Sequence, residues 1–115
     1  MTLEHFEVTE TDLATIIKIL PQEIDLAQVG GIRKEFQGIP DGGKKNIVID
    51  LENLHFIDSA GIGWLISVHQ QNKKKLINVG FIKVKKELTD IFALTSIDKL
   101  LKIYPDYDTF MAAVG

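Results

Sequence analysis

Asp58-Ser59-Ala60-Gly61-Ile62-Gly63 is where this 115-residue chain crowds an acid, a hydroxyl and small residues together. The stretch follows an apolar run and leads into residues at helical spacing. A serine at such a junction can cap the helix, act as a nucleophile or accept a phosphoryl group. Capping alone is worth about 1 kcal/mol, but it does not account for the acid at 58 or for two glycines in the first turn, which cost helix stability. Small residues there let another protein's backbone, or a phosphoryl group, approach closely. The free N–H groups and positive dipole end of a helix start also suit a phosphate. Phosphoserine at 59 would add a charge of about -1.5 to -2 beside Asp58. A partner covering that helix end would have to desolvate it, so binding could be abolished without a change of fold.

The nucleophile reading fails on geometry. A hydrolase elbow of the form G-x-S-x-G requires glycine where Ile57 stands. His69 follows Ser59 by ten residues on the same predicted helix, about 15 Å away by helical rise and out of reach as a base. His5 and His55 belong to no motif that links them to Ser59. The three histidines lack metal-ligand spacing, cysteine is absent, and no acid-rich loop resembles a calcium site, so no metal or cofactor is predicted. Gly38 to Lys45 spaces its glycines like a phosphate-binding loop, but Lys45 stands where a metal-binding Ser or Thr is needed. It also follows a helix and enters a strand, the reverse of the required context.

The elements that position the Asp58-Ser59 turn are legible around it. Leu3 to Thr9 and Leu13 to Leu20 read as two strands, the second rich in β-branched residues. Leu26, Val29, Ile32 and Phe36 predict a helix over 26–37, followed by a turn over 38–43. Ile47 to Leu51 reads as a central strand buried on both faces. A helix is predicted over 60–72, with Ile62, Leu65, Ile66 and His69 on one side and Ala60, Trp64, Ser67 and Gln71 on the other. Strand 76–79, helix 83–94, strand 100–104 and a terminal helix opened by Pro105-Asp106 complete the chain. The predicted order is β-β-α-β-α-β-α-β-α in a single domain over 1–115, an α/β fold with a mixed, mostly parallel sheet. Trp64 either packs on a neighbouring helix or offers a partner an apolar contact. Lys73-Lys74-Lys75 and Lys83, Lys85 and Lys86 read as solvated faces that could meet an acidic partner.

Thirteen basic residues against sixteen acidic ones give a formal charge of -3, which argues against direct nucleic-acid binding. No 18-residue apolar run and no signal-peptide pattern is present, so a soluble, cytoplasmic protein with no membrane partner is expected.

Taken together, Ile47 to Leu51 and Phe56-Ile57-Asp58-Ser59-Ala60-Gly61-Ile62-Gly63 resemble the signature of the STAS-domain anti-sigma factor antagonists. Leu88 to Tyr104 resembles that family's next helix, turn and final strand. Glu23-Ile24-Asp25-Leu26-Ala27 resembles its entry to the first helix, with Gln22 where a glycine is usual. The resemblance implies a STAS fold and a non-enzymatic protein that binds an anti-sigma factor and so frees a sigma factor for transcription. In phospho-regulated members the anti-sigma factor is also a serine kinase, and a serine phosphatase reverses the modification. On this match Ser59 is the phosphoacceptor, Asp58 the acid before it, and Ala60 replaces the second serine of many relatives. Asp25 matches a loop residue near the partner face. The partner-binding set is then Asp25, Asp58, Ser59, Ala60, Gly61, Gly63 and Trp64. The alternative role for the same fold is a regulatory subunit of a transporter, lipid-trafficking or sensory complex, without phosphorylation.

Overall fold

The computed structural model describes residues 1–40 and 42–115. Asp41, inside the turn expected over 38–43, lies outside the described residues. Strands β1 (Phe6–Glu10) and β2 (Thr15–Ile19) form the antiparallel hairpin expected at the start, in register from Phe6↔Ile19 to Glu10↔Thr15. Every later pairing is parallel. β2 pairs with β4 (Asn46–Asp50), β4 with β6 (Asn78–Ile82), and β6 with β7 (Ile103–Tyr104), giving the five-stranded order β1-β2-β4-β6-β7. The central position of β4 explains its unbroken apolar run, since a strand covered on both faces has no solvent side to alternate towards. Ile47, Val48, Ile49 and Asp50 are all buried.

Among the described residues four α-helices cover the sheet unequally. α1 (Leu26–Gln37), α2 (Ser59–Lys74) and α3 (Lys86–Leu94) lie over the face that carries Ile17, Ile19, Ile47, Ile49 and Phe81. α4 (Tyr107–Val114) covers the other face by itself, with Phe110 against Ala14, Val48 and Ile82. A second, two-stranded sheet pairs β3 (Glu23–Ile24) with β5 (Phe56–Ile57). The sequence reading missed both strands, because two residues are too few to display an alternation.

Several boundaries move, beginning with β1, which starts at Phe6 and not at Leu3. The strand expected over 76–79 begins at Asn78, because α2 runs on to Lys74 and Leu76 takes a left-handed conformation, φ 61°. The amides of Leu76 and Ile77 close the helix on the carbonyls of Lys73 and Asn72 at 3.0 and 2.9 Å. Lys83 is also left-handed, φ 57°, so the helix expected from residue 83 starts at Lys86. The last strand shrinks to Ile103–Tyr104 behind a 3-10 turn, Ile97–Lys99.

The face assigned to α2 is corrected as well. Its buried residues are Gly61, Trp64, Leu65, Val68, His69 and Asn72, so Trp64 belongs with Leu65 in the core. Its indole, 1% exposed, meets Phe36 edge-on at 5.4 Å and Phe6 at 6.0 Å. These three rings tie α2 to α1 and β1.

Candidate functional site

Two short segments of near-identical wording meet at the site, Ile24-Asp25-Leu26-Ala27 and Ile57-Asp58-Ser59-Ala60. In each, a strand ends in isoleucine, an aspartate caps, and a helix begins. The pairing Ile24↔Ile57 lays the two copies side by side. The loops are tied together by the His55 amide donating to the Gln22 carbonyl at 2.7 Å and the Asp58 amide donating to the Ile24 carbonyl at 3.2 Å. Gln22, the departure from the resembled pattern, contributes through its backbone and leaves the pairing intact.

The consequence is a carboxylate shared between two helices. Asp25 Oδ1 accepts the Gln28 amide at 3.1 Å and caps α1. Asp58 Oδ1 accepts the Gly61 amide at 3.0 Å and caps α2, while its Oδ2 accepts the amide of Leu26, the first residue of α1, at 2.9 Å. The Gly61 amide foremost, then those of Leu26 and Ala60, hold Asp58 below the usual carboxylate range against the opposing effect of burial. Asp58 is therefore charged throughout the neutral range.

Because Asp58 is the cap, Ser59 is not. The serine occupies the first position of α2, is exposed, and has no hydrogen-bond partner for its hydroxyl among the described residues. The simple explanation of a serine at this junction, a helix cap, is thus taken by its neighbour, and a free hydroxyl stands beside a fixed negative charge.

The other residues proposed from sequence separate into two groups. Ala60 is half-buried and Gly63 is exposed, and a Cβ on Gly63 would meet nothing within 4 Å. With Ser59 they lie at i, i+1 and i+4 on the accessible side of the first turn. Gly61 and Trp64 face inward, which corrects their assignment as partner contacts. A Cβ on Gly61 would lie 2.5 Å from Ile57 Cγ1 and 2.9 Å from both Ile24 Cγ2 and the Ile24 carbonyl oxygen. The smallness of residue 61 serves the approach of this chain's own β3 and β5. Gly61→Ala is expected to destabilise the protein by about 1–3 kcal/mol through overpacking, read as a lower urea midpoint at unchanged m-value.

Sequence reasoning overlooked two apolar residues at the same end. Leu26 is 76% exposed and Phe56 is 48% exposed, one beginning α1 and the other ending two residues before Asp58. The repeated Ile-Asp-x-Ala wording was the available signal that residues 26 and 59 are neighbours. His55, beside Phe56, bonds through Nδ1 to Glu87 of α3 at 3.1 Å, so the loop is tied to three helices.

Residues 5–110 match the family model of the STAS domain. The chain belongs to this family. The STAS fold is repeated in a putative anti-sigma factor antagonist from Thermotoga maritima, with 18% identity, 96% of this chain and 95% of that one covered, and a TM-score of 0.80. An anti-sigma-factor antagonist (STAS) domain protein from Planctomyces limnophilus has 21% identity over 94% of this chain and 96% of that one, again with a TM-score of 0.80. The Bacillus cell fate determinant SpoIIAA in its phosphorylated form has 18% identity, coverage of 96% and 99%, and a TM-score of 0.61.

Elsewhere in the STAS domain, histidines and acids serve other ends. His5 is clamped by Glu35, its backbone amide on Oε1 and its Nδ1 on Oε2, both at 2.9 Å. Glu4, His5 and Glu35 are the group of possible ligand atoms found within 4.8 Å among the described residues. No described helix is long and apolar enough to cross a membrane. His69 is buried, and burial first, then Lys73 and Lys102, push its pKa below the usual 6.5. A group so depressed stabilises the fold fully above about pH 6.5 and less as pH falls through its folded value. Asp58 behaves the same way below its ordinary value of 3.8. Stability is therefore expected to fall in two windows on acidification, below about pH 6.5 and below about pH 4. Urea midpoints measured from pH 8 to 3 check this, and His69→Leu should remove the upper window.

Proposed function

We propose that this STAS domain is an anti-sigma factor antagonist that binds an anti-sigma factor with serine-kinase activity and is switched off by phosphorylation of Ser59. The carrying observation is the free, exposed hydroxyl at the first position of α2, next to a carboxylate that stays charged. The domain itself performs no chemistry in this reading. Unmodified, its Ser59, Ala60 and Gly63 surface, flanked by Leu26 and Phe56, lies against the partner. Asp25 and Asp58 act by fixing the two helix starts.

The kinase transfers the γ-phosphoryl group of ATP to Ser59 Oγ, the serine proton leaves to a base of the kinase, and ADP departs. The dianion then sits beside Asp58, and re-forming the interface requires desolvating both charges together. A serine phosphatase restores the neutral hydroxyl. The likeness to solved anti-sigma factor antagonists, one of them a phosphorylated form, supports this reading.

Incubation with a candidate anti-sigma kinase and ATP, followed by intact mass and peptide mapping, tests it. One phosphate on Ser59, absent from Ser59→Ala, is expected. Modification elsewhere, or none with any kinase encoded beside the protein, overturns the assignment.

A further inference from the structure

A groove of about 740 Å³ opens at the edge of the sheet, where β7 falls short of β6. β7 pairs with β6 only at Phe81↔Ile103 and Ile82↔Tyr104. The first residues of β6, Asn78 and Val79, consequently line an open space between the end of α2, the 3-10 turn and α4. Its volume lies in the range of about 300–1,000 Å³ typical of small-molecule sites. The groove is remote from the Ser59 surface: His69 and Lys73 stand about 15 and 21 Å along α2 from residue 59 by helical rise.

The walls have two characters. Ile77, Leu100 and Val114 supply accessible apolar surface over a floor of buried Val79, Leu101 and Phe110. Lys73 of α2, Lys99 of the 3-10 turn and Lys102 before β7 supply cations, against Asp98 as the one acid of the lining. The excess of positive charge is local, since the whole chain is acidic with a formal charge of -3. None of the three lysines takes part in an ion pair among the described residues. His69 borders the same groove, 8% exposed, with its Nδ1 lacking a hydrogen-bond partner among the described residues. Lys73 and Lys102 come from different elements, and both bear on that ring. Three exposed lysines without an ion pair among the described residues thus border an apolar trough.

We propose that this groove binds a small anionic amphiphile, with a carboxylate or phosphate head held among Lys73, Lys99 and Lys102 and an apolar body laid over Ile77, Leu100 and Val114. The head neutralises the bordering ammonium groups, and the body covers the accessible part of the apolar wall. A bare anion would leave that wall exposed, and a neutral hydrocarbon would leave the cations unpaired.

Decanoate, kept below its micelle concentration, is the probe, titrated into the ¹⁵N-labelled protein. Saturable one-site shifts are expected at the amides of Val79, Leu101 and Lys102, with those of residues 56–63 still. The double variant Lys73→Gln/Lys102→Gln, whose side chains are exposed and without an ion pair among the described residues, should keep the wild-type circular dichroism and bind at least about tenfold more weakly, since two charge-assisted contacts to the head are lost. Decanol and decyltrimethylammonium should each bind at least about tenfold more weakly than decanoate on the same grounds. Decyl phosphate binding like decanoate identifies the shared anionic head. Non-saturable shifts, equal affinity in the double variant, decanol as tight as decanoate, or inorganic phosphate alone binding as well would each overturn the proposal.

Discussion

If the proposed function holds, Ser59→Asp is expected to lower affinity for the proposed anti-sigma partner by about a hundredfold, whereas Ser59→Ala binds at least as tightly as wild type and continues to bind in the presence of kinase and ATP. The magnitude follows from placing like charges together at a surface that must be dried. Asp58 cannot escape by protonation, because the Gly61 and Leu26 amides at 3.0 and 2.9 Å stabilise its ionised form. It cannot readily swing away either, since its two oxygens serve two helices. A new carboxylate at 59 must therefore be accommodated by the partner, and like-charge juxtaposition at an interface costs several kcal/mol. The fold should not notice: residue 59 is exposed, its side chain bonds to nothing among the described residues, and a negative charge in a first helical turn is locally favourable. Titration calorimetry against the partner, with circular dichroism as control, reads both halves of this expectation. Equal affinities for the two variants would remove the switch.

Trp64→Ala is expected to cost about 3–5 kcal/mol of stability, a large part of the roughly 5–15 kcal/mol that holds a domain of this kind together. The indole fills the space between α2, α1 and β1, and its removal leaves Phe6 and Phe36 facing a cavity that backbone elements on three sides cannot readily close. Urea unfolding followed by circular dichroism measures the loss. Near-native stability combined with lost partner binding would return Trp64 to the interface. Gly61 and Trp64 teach the same point from opposite ends of the size scale: both look like features of a contact surface in sequence, and both are demanded by internal packing.

Much of the fold was readable because its signals are local. The unbroken Ile47 to Ile49 run marks a strand covered on both faces, and the Tyr107, Phe110, Met111 and Val114 stripe marks α4. Where local signals misled, the cause is identifiable. Leu76-Ile77 has strand-like composition, yet these residues close the end of α2, and apolar content cannot distinguish a pairing strand from a helix terminus whose amides fold back. The α2 face was misplaced because Trp64 and Ile62 are both apolar, and which of them points inward depends on what lies opposite.

By itself the amino-acid sequence determined the alternation of elements, the strand-to-helix turn at residue 58 and the hydroxyl at 59, since each depends on residue type and near neighbours. Only the tertiary structure decided that Asp58 caps α2 while also accepting the first amide of α1, that Leu26 and Phe56 are exposed, and that Trp64 is buried in the core. Those facts depend on the pairing of two strands of two residues each, 33 positions apart in chain register. No local pattern encodes such a pairing, because it is selected by the packing of the whole sheet and its helices.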